Sequence, residues 1–394
     1  MASFQKLSVE SLKSLSRLCG LSSSHTKQEL ILNLNEAIWR NSLSTQSNSS
    51  SSSSIWTRPP HTHASSTQSH HRVLSVDMGL RNLSYSVLDL ADVEQIPTLS
   101  AWSLKSILPQ TALAELTTAT TRQQPNFSPA IAAQLAYGTF VEDILPRFNP
   151  DTILLERQRH RSGGGRNVLE WTLKVNMFES VLYGVLTTLI KQGLLKAQVC
   201  EVLPSRTKGY WIRNAVIPTT TSSQGSPQQQ EGGGGADESI SSGRKRVQNK
   251  YALSKLVKVN LVKRWTKGVT FDNPAACKHV LFTESTIPMA LQFHSEPGGS
   301  ARRRRRRKPD SSDIGVEQAN RLLDQQQQQQ QEPPSSTGTK LKLDDLSDSL
   351  LQGVAFVQWH QNRFELARAV RDGTDLAEFC QLMVDRHTKE MVIE

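Results

Sequence analysis

The chain has 394 residues, a formal charge of +10 from 46 Lys and Arg against 36 Asp and Glu, and only four cysteines. That balance favours a polyanionic partner, nucleic acid first and acidic lipid second, although the run Arg302 to Arg307 with Lys308 supplies part of the excess. Cys19, Cys200, Cys277 and Cys380 form no CxxC pair, which argues against a disulfide framework or zinc cage, and the most apolar stretch, Val181 to Ile190, is too short to span a bilayer.

Residues 7–38 carry two helical patterns. Leu12, Leu15 and Leu18 recur at helical spacing until Gly20-Leu21 ends the first helix. Thr26 and Glu29 then form a capping box ahead of a second helix with Leu30, Leu34 and Ile38 on one side. The set Leu12, Leu15, Gly20, Leu21, Lys27, Glu29, Leu30 and Leu34 resembles a SAP-type helix-turn-helix, which implies a DNA-contacting role for Lys27. A plain helical hairpin or a presequence fits the same spacing. The N-terminal region is Ser-rich with few acids, as in an organellar transit segment, but lacks the dense arginines of one. Residues 41–71 read as a flexible linker, with Ser49 to Ser54 and scattered histidines on a tether too mobile to make a defined metal site.

An α/β core is expected over residues 72–394. Arg72 to Asp77 is an apolar strand ending on an acid, Gly79 turns the chain, and Leu83 to Leu88 is a second strand. A third strand is expected around Leu99, Ala101 and Trp102, a helix over Pro129 to Leu145, and a short buried strand over Thr152 to Glu156. The longest helix is expected over Val168 to Lys191, followed by a strand over Gln198 to Leu203 stopped by Pro204. Strand hairpin, helix, strand, helix, strand is the signature of a mixed sheet flanked by helices. Two low-complexity insertions follow, at residues 219–243 and 296–339, and both read as disordered loops. Val247 to Trp265 between them is a basic amphipathic helix; a core helix from Asp344 to about Trp359 and a terminal helix from Arg363 to Val384 complete the chain.

The acids carry the chemistry. Hydrolysis of a phosphodiester needs an activated water and stabilisation of the extra charge on the phosphate, and two Mg²⁺ ions about 3.5–4 Å apart supply both. Magnesium takes hard oxygen ligands, so the protein must offer carboxylates. Asp77 and Glu156 stand where strands surface, and Asp344, Asp345 and Asp348 cluster at a helix start. Asp345 and Asp348 share a helix face, and so do Asp344 and Asp348. Periodicity does not choose between Asp344 and Asp345. Each acid also has a plainer reading: a turn residue for Asp77, a surface ion pair for Glu156, and complements to a helix N-terminus for the aspartates.

Three stretches are similar to the fungal mitochondrial Holliday-junction resolvases, relatives of bacterial RuvC in the RNase H-like superfamily: Ser75 to Asn82, Leu155 to Gly163, and Lys342 to Leu350. The resemblance implies an RNase H-like mixed sheet and a mitochondrial endonuclease resolving four-way DNA junctions by paired nicks. It further implies a homodimer without membrane association, with two Mg²⁺ ions per site (Mn²⁺ substituting) held by Asp77, Glu156, Asp345 and Asp348. The Asp-x-x-Asp spacing of RuvC relatives is what selects Asp345. Under this reading Arg157, Arg159, Arg161 and Arg166, around the flexible Gly163-Gly164-Gly165, grip DNA phosphates, with Lys208, Lys250 and Lys255 as further contacts. The arginine run is expected to act as a disordered electrostatic tether. Competing readings are an enzyme of the same fold acting on RNA–DNA hybrid or flap DNA, and a non-catalytic DNA-binding or packaging protein.

Overall fold

In a computed structural model of the chain, the described residues are 4–43, 71–108, 127–158, 170–212, 253–275, 277–294 and 342–391. Two helices, α1 (Val9–Leu18) and α2 (Lys27–Leu43), precede a six-stranded sheet. Its strands are β1 (His71–Asp77), β2 (Leu83–Leu90), β3 (Thr98–Lys105), β4 (Thr152–Glu156), β5 (Gln198–Val202) and β6 (Leu281–Phe282). They lie in the order β5-β4-β1-β2-β3-β6. The first three strands form an antiparallel meander, and β4 and β5 add parallel to β1 on the other side. A meander extended by parallel strands through helical crossovers is the RNase H-like arrangement expected from the sequence.

One face of the sheet is covered by α3 (Pro129–Ala136, continued by a π-helical stretch Tyr137–Ile144 and a last turn Leu145–Phe148) and by α4 (Glu170–Lys191). Leu74, Val76, Ile153 and Leu155 meet Ala132, Phe140, Phe178 and Leu182 there in a continuous apolar cluster. Alternation along the strands sends Ser75, Ser84 and Ser86 to the other face, against α8 (Leu343–Arg371). Between these lie α5 (Pro204–Trp211), α6 (residues 253–266) and α7 (Ile287–Gln292); α9 (Leu376–Met391) ends the described chain.

The structure differs from expectation at one place that matters. The core helix does not stop near Trp359 but runs unbroken to Arg371, because His360, Gln361 and Asn362 include no helix breaker, and the chain turns only at Gly373 with φ +71°. Its far half binds the N-terminal pair. Asn362 Nδ2 donates to the Leu18 carbonyl at 2.7 Å and Arg363 Nε to the Cys19 carbonyl at 2.8 Å. Gly20, at φ +68°, closes the end of α1 so tightly that a Cβ there would lie 2.3 Å from the Trp359 ring. The capping box is present, with Glu29 accepting from the Thr26 amide at 2.9 Å and Thr26 Oγ1 from the Glu29 amide at 3.4 Å. The expected SAP-like module is thus a helical pair fastened to the core.

Val181 to Ile190 lies within Glu170–Lys191, a helix long and apolar enough to cross a membrane by length and composition only. Its inner face (Val175, Phe178, Leu182, Leu186) belongs to the core, while Trp171 is 41% and Leu173 54% exposed.

Candidate active site

The strand ends place the first two acids side by side. β1 and β4 run parallel in the register Val76↔Leu155, so Asp77 and Glu156 follow as neighbours at the same edge of the sheet. Gly79 allows the chain to turn immediately after Asp77, since a Cβ there would fall 2.7 Å from the Asn82 carbonyl oxygen. Asp77 and Glu156 are hydrogen-bonded to each other through their carboxyl groups. Burial first, then Glu156 and the charges of Asp348 and Asp345, push the Asp77 carboxyl well above the usual carboxylate range. Two carboxylates in one half-buried site cannot both hold a charge cheaply, and a shared proton or a cation relieves them.

The helix acids are brought to this edge by polar anchors. Ser84 Oγ donates to the Asp345 carbonyl at 2.5 Å, and Trp102 Nε1 to the Leu346 carbonyl at 3.0 Å. Ser75 and Ser86 both donate to the Ser349 carbonyl, at 2.8 and 3.0 Å. Gln352 Nε2 reaches Ser75 Oγ at 3.2 Å and the Val76 carbonyl at 3.3 Å. Directly beneath, Gly353 lets the helix backbone lie on the sheet; a Cβ at that position would meet Leu88 Cδ1 at 2.9 Å and Ser75 Cβ at 3.1 Å. Close approach of α8 to β1 and β2 therefore fixes how far Asp345 and Asp348 stand from Asp77.

Two lysines from α6 meet these acids from outside. Lys258 Nζ is ion-paired with Asp348, and Lys255 Nζ with Asp344 at 2.6 Å. Burial raises the Asp348 carboxyl above its ordinary range, and Lys258 opposes that rise. Among the described residues no three His, Cys, Asp or Glu side chains already form a cage for a metal ion. The donor set is nonetheless all carboxylate oxygen, the chemistry a hard divalent cation takes, and the lysine ammonium groups stand in as cations on the helix acids.

The other expected site residues divide three ways. Arg157 is exposed and ion-paired with Glu201 at 2.9 Å, beside the edge where β4 ends. Lys208 is exposed on α5, and Lys27 donates to the Gln5 carbonyl at 3.0 Å, away from the acids in sequence and bound to the N-terminal pair. Arg159, Arg161, Arg166 and Lys250, the glycine loop, both insertions and the arginine run lie outside the described residues. Sequence reading missed Lys258 at the site, although its spacing of three from Lys255 answers the spacing of four between Asp344 and Asp348. It also missed Arg81, in the turn just past Asp77, whose guanidinium lies 5.3 Å from the ring centre of Trp171 at the start of α4.

Comparison with known proteins follows the same residues. The family model described as mitochondrial resolvase Ydc2 / RNA splicing MRS1 matches residues 73–366. Cruciform cutting endonuclease 1, mitochondrial, of Schizosaccharomyces pombe is 32% identical over 144 residues, which are 36% of this chain and 52% of that protein. The Saccharomyces cerevisiae protein of the same name is 27% identical over 148 residues, 35% of this chain and 39% of that one. The chain thus spans about half the length of the curated relatives it matches, or less. The crystal structure of the yeast mitochondrial Holliday junction resolvase Ydc2 is 20% identical, with a TM-score of 0.48 over 92% of this chain and 99% of that one. With the family model covering all but the first two residues of the sheet and the acid-bearing half of α8, the chain belongs to the mitochondrial resolvase Ydc2 / RNA splicing MRS1 family.

Proposed function

We propose that the chain is a metal-dependent, structure-selective endonuclease that cuts four-way DNA junctions in mitochondria. The observation that carries this is the convergence of acids from distant parts of the sequence, with Asp77 in contact with Glu156 and in the field of Asp345 and Asp348. Asp77, Glu156, Asp345 and Asp348 are the proposed ligands of two Mg²⁺ ions, for which Mn²⁺ can substitute. When bound, the ions supply Lewis-acid stabilisation of the phosphate and an activated water. The protein's own part is to hold oxygen ligands at fixed separation: the strand pair sets Asp77 against Glu156, and the serine and tryptophan anchors set the height of α8. Pre-positioning of this kind is worth much of the rate, because a misplacement of about 1 Å costs roughly a hundredfold.

A homodimer follows from the same reading, since two sites related by a two-fold axis suit paired nicks on a pseudo-symmetric junction. The outward side of α4, with Trp171 and Leu173, and the neighbouring Tyr137, 50% exposed, offer the apolar surface for it. Arg157 and Lys208 are proposed phosphate contacts, which position DNA and make binding salt-sensitive. The names of the matched relatives, cruciform cutting endonucleases, agree with this substrate.

The family description also includes RNA splicing, which keeps a non-cleaving nucleic-acid-binding role as the second reading. Incubating the chain with a synthetic four-way junction, an RNA–DNA hybrid, a flap and plain duplex, with Mg²⁺ and with chelator, separates them. Mg²⁺-dependent paired nicks confined to the junction support the proposal. Equal cleavage of the hybrid or flap moves the substrate, and binding without cleavage moves the chain to the non-cleaving class.

A further inference from the structure

Lys255 is expected only as a DNA contact and Lys258 has no task in the reading above, yet both meet the acids at the start of α8. Lys258 engages Asp348 and Lys255 engages Asp344, so both ammonium groups lie against the acid helix. Their backbone is firmly held. Val257, Leu261, Val262 and Trp265 are buried, Trp265 packs edge-on against Trp211 at 5.1 Å, and Thr266 Oγ1 lies 2.9 Å from His294 Nε2. The side chains are not held in the same way: lysine is a point charge on a four-carbon stem, and Lys255 is 43% and Lys258 21% exposed. An arginine fork would lock onto a carboxylate; a lysine can let go.

Charge balance gives the release its direction. Four carboxylates crowded at one edge need counter-cations, and two divalent ions balance them fully. Asp348 then gives its oxygens to the stronger cation, and Lys258 is left facing outward next to the place where a DNA phosphate must sit, while Lys255 stays paired with Asp344, outside the ligand set. Building on the metal reading proposed above, we propose that Lys258 is a displaceable counter-cation, balancing Asp348 while the site is metal-free and transferring its charge to the DNA backbone once metal takes that acid. This lysine thereby couples metal occupancy to the grip on DNA.

The test uses the full chain, with Lys258→Met removing the charge while keeping stem length, Lys255→Met as the neighbouring-charge control, and Lys258→Arg keeping charge. Free Mn²⁺ is counted by electron paramagnetic resonance as the ion is titrated in, and four-way junction binding is measured over a range of salt in chelator and in Ca²⁺. Expected for Lys258→Met is Mn²⁺ binding tighter by roughly fivefold, the size of a partly buried ion pair, with Lys258→Arg binding Mn²⁺ no more tightly than the wild-type chain. Junction affinity should be unchanged in chelator and weaker in Ca²⁺, where the slope of log affinity against log salt falls by about one. Unchanged or weaker Mn²⁺ binding in Lys258→Met, or a tightening no greater than in Lys255→Met, overturns the proposal, as does an equal loss of junction affinity in chelator and in Ca²⁺. Failure of the underlying metal reading looks different: the wild-type chain itself then binds no Mn²⁺ that Asp77→Asn abolishes.

Discussion

Substituting Gly353 by alanine tests the positioning of the acid helix without touching an acid. In an exposed helix the change gains up to about 1 kcal/mol. Here the new methyl carbon would lie 2.9 Å from Leu88 Cδ1, 3.1 Å from Ser75 Cβ and 3.3 Å from Ser86 Oγ. Comfortable carbon–carbon separation is about 3.5–4.0 Å. The end of Leu88 can rotate away, but Ser75 Cβ is fixed to the central strand, so α8 must rise by roughly half an ångström. Overpacking of that kind costs about 1–3 kcal/mol. The bonds from Ser75 and Ser86 to the Ser349 carbonyl lengthen with it, each worth about 1 kcal/mol. Set against the propensity gain, the net expected loss is about 1–3 kcal/mol, read as a lower urea midpoint at unchanged m-value. Gly209→Ala in α5 is the control, because nothing lies within 4 Å of a Cβ there; it should be neutral or stabilising by up to about 1 kcal/mol. Junction nicking should fall roughly tenfold or more in Gly353→Ala under conditions where the protein remains folded, with junction binding retained. Equal stability of the two alanine variants, or full nicking by Gly353→Ala, refutes the claim that close approach of α8 to the sheet sets the site.

Asp77→Asn should abolish Mg²⁺-dependent nicking and stabilise the metal-free protein at neutral pH, each unit by which the carboxyl is raised being worth about 1.4 kcal/mol. Since the native carboxyl titrates above its unfolded value, its favourable contribution is present at low pH and is lost as pH rises through the native value, so thermal melts of the variant in chelator should lack that decline. His279, buried and with Nδ1 accepting from Gln358 at 2.8 Å, is pushed down to about 4 by burial. The native state thus resists its protonation, and stability present above about pH 6.5 is lost toward pH 4, by up to about 3 kcal/mol; His279→Gln should flatten that limb in acid-unfolding curves. Gly20→Ala must accept both φ +68° and the Trp359 ring at 2.3 Å, and should cost about 3 kcal/mol or more, seen as early protease cleavage between α1 and α2.

Much of the sheet was legible because its strands are short and marked at both ends. Thr152 to Glu156 is a continuous apolar run closed by an acid and is observed with those bounds as β4. β6 escaped notice because Leu281–Phe282 pairs over only two residues with Thr98 and Leu99, too few for any alternation to register. The choice between Asp344 and Asp345 could not come from periodicity, since α8 is buried on nearly every side from Leu346 to Val357 and so shows no apolar stripe. Ser75, Ser84 and Ser86 look like a solvent-facing row in the sequence, yet they face the carbonyls of α8; polar alternation tells that a face differs, not what covers it. Lys258 was legible only as one charge in a basic helix, because its partner lies ninety residues further along the chain.

One helix carries both the acids at its beginning and the N-terminal helices' anchor beyond its middle. At 1.5 Å per residue, Asp345 and Trp359 are about 21 Å apart along a rigid rod. Any duplex held by the helical pair would therefore be presented to the carboxylates at a constant offset of about six base pairs, taking 3.4 Å per step. Reach, in such an arrangement, is a property of backbone length rather than of a tether.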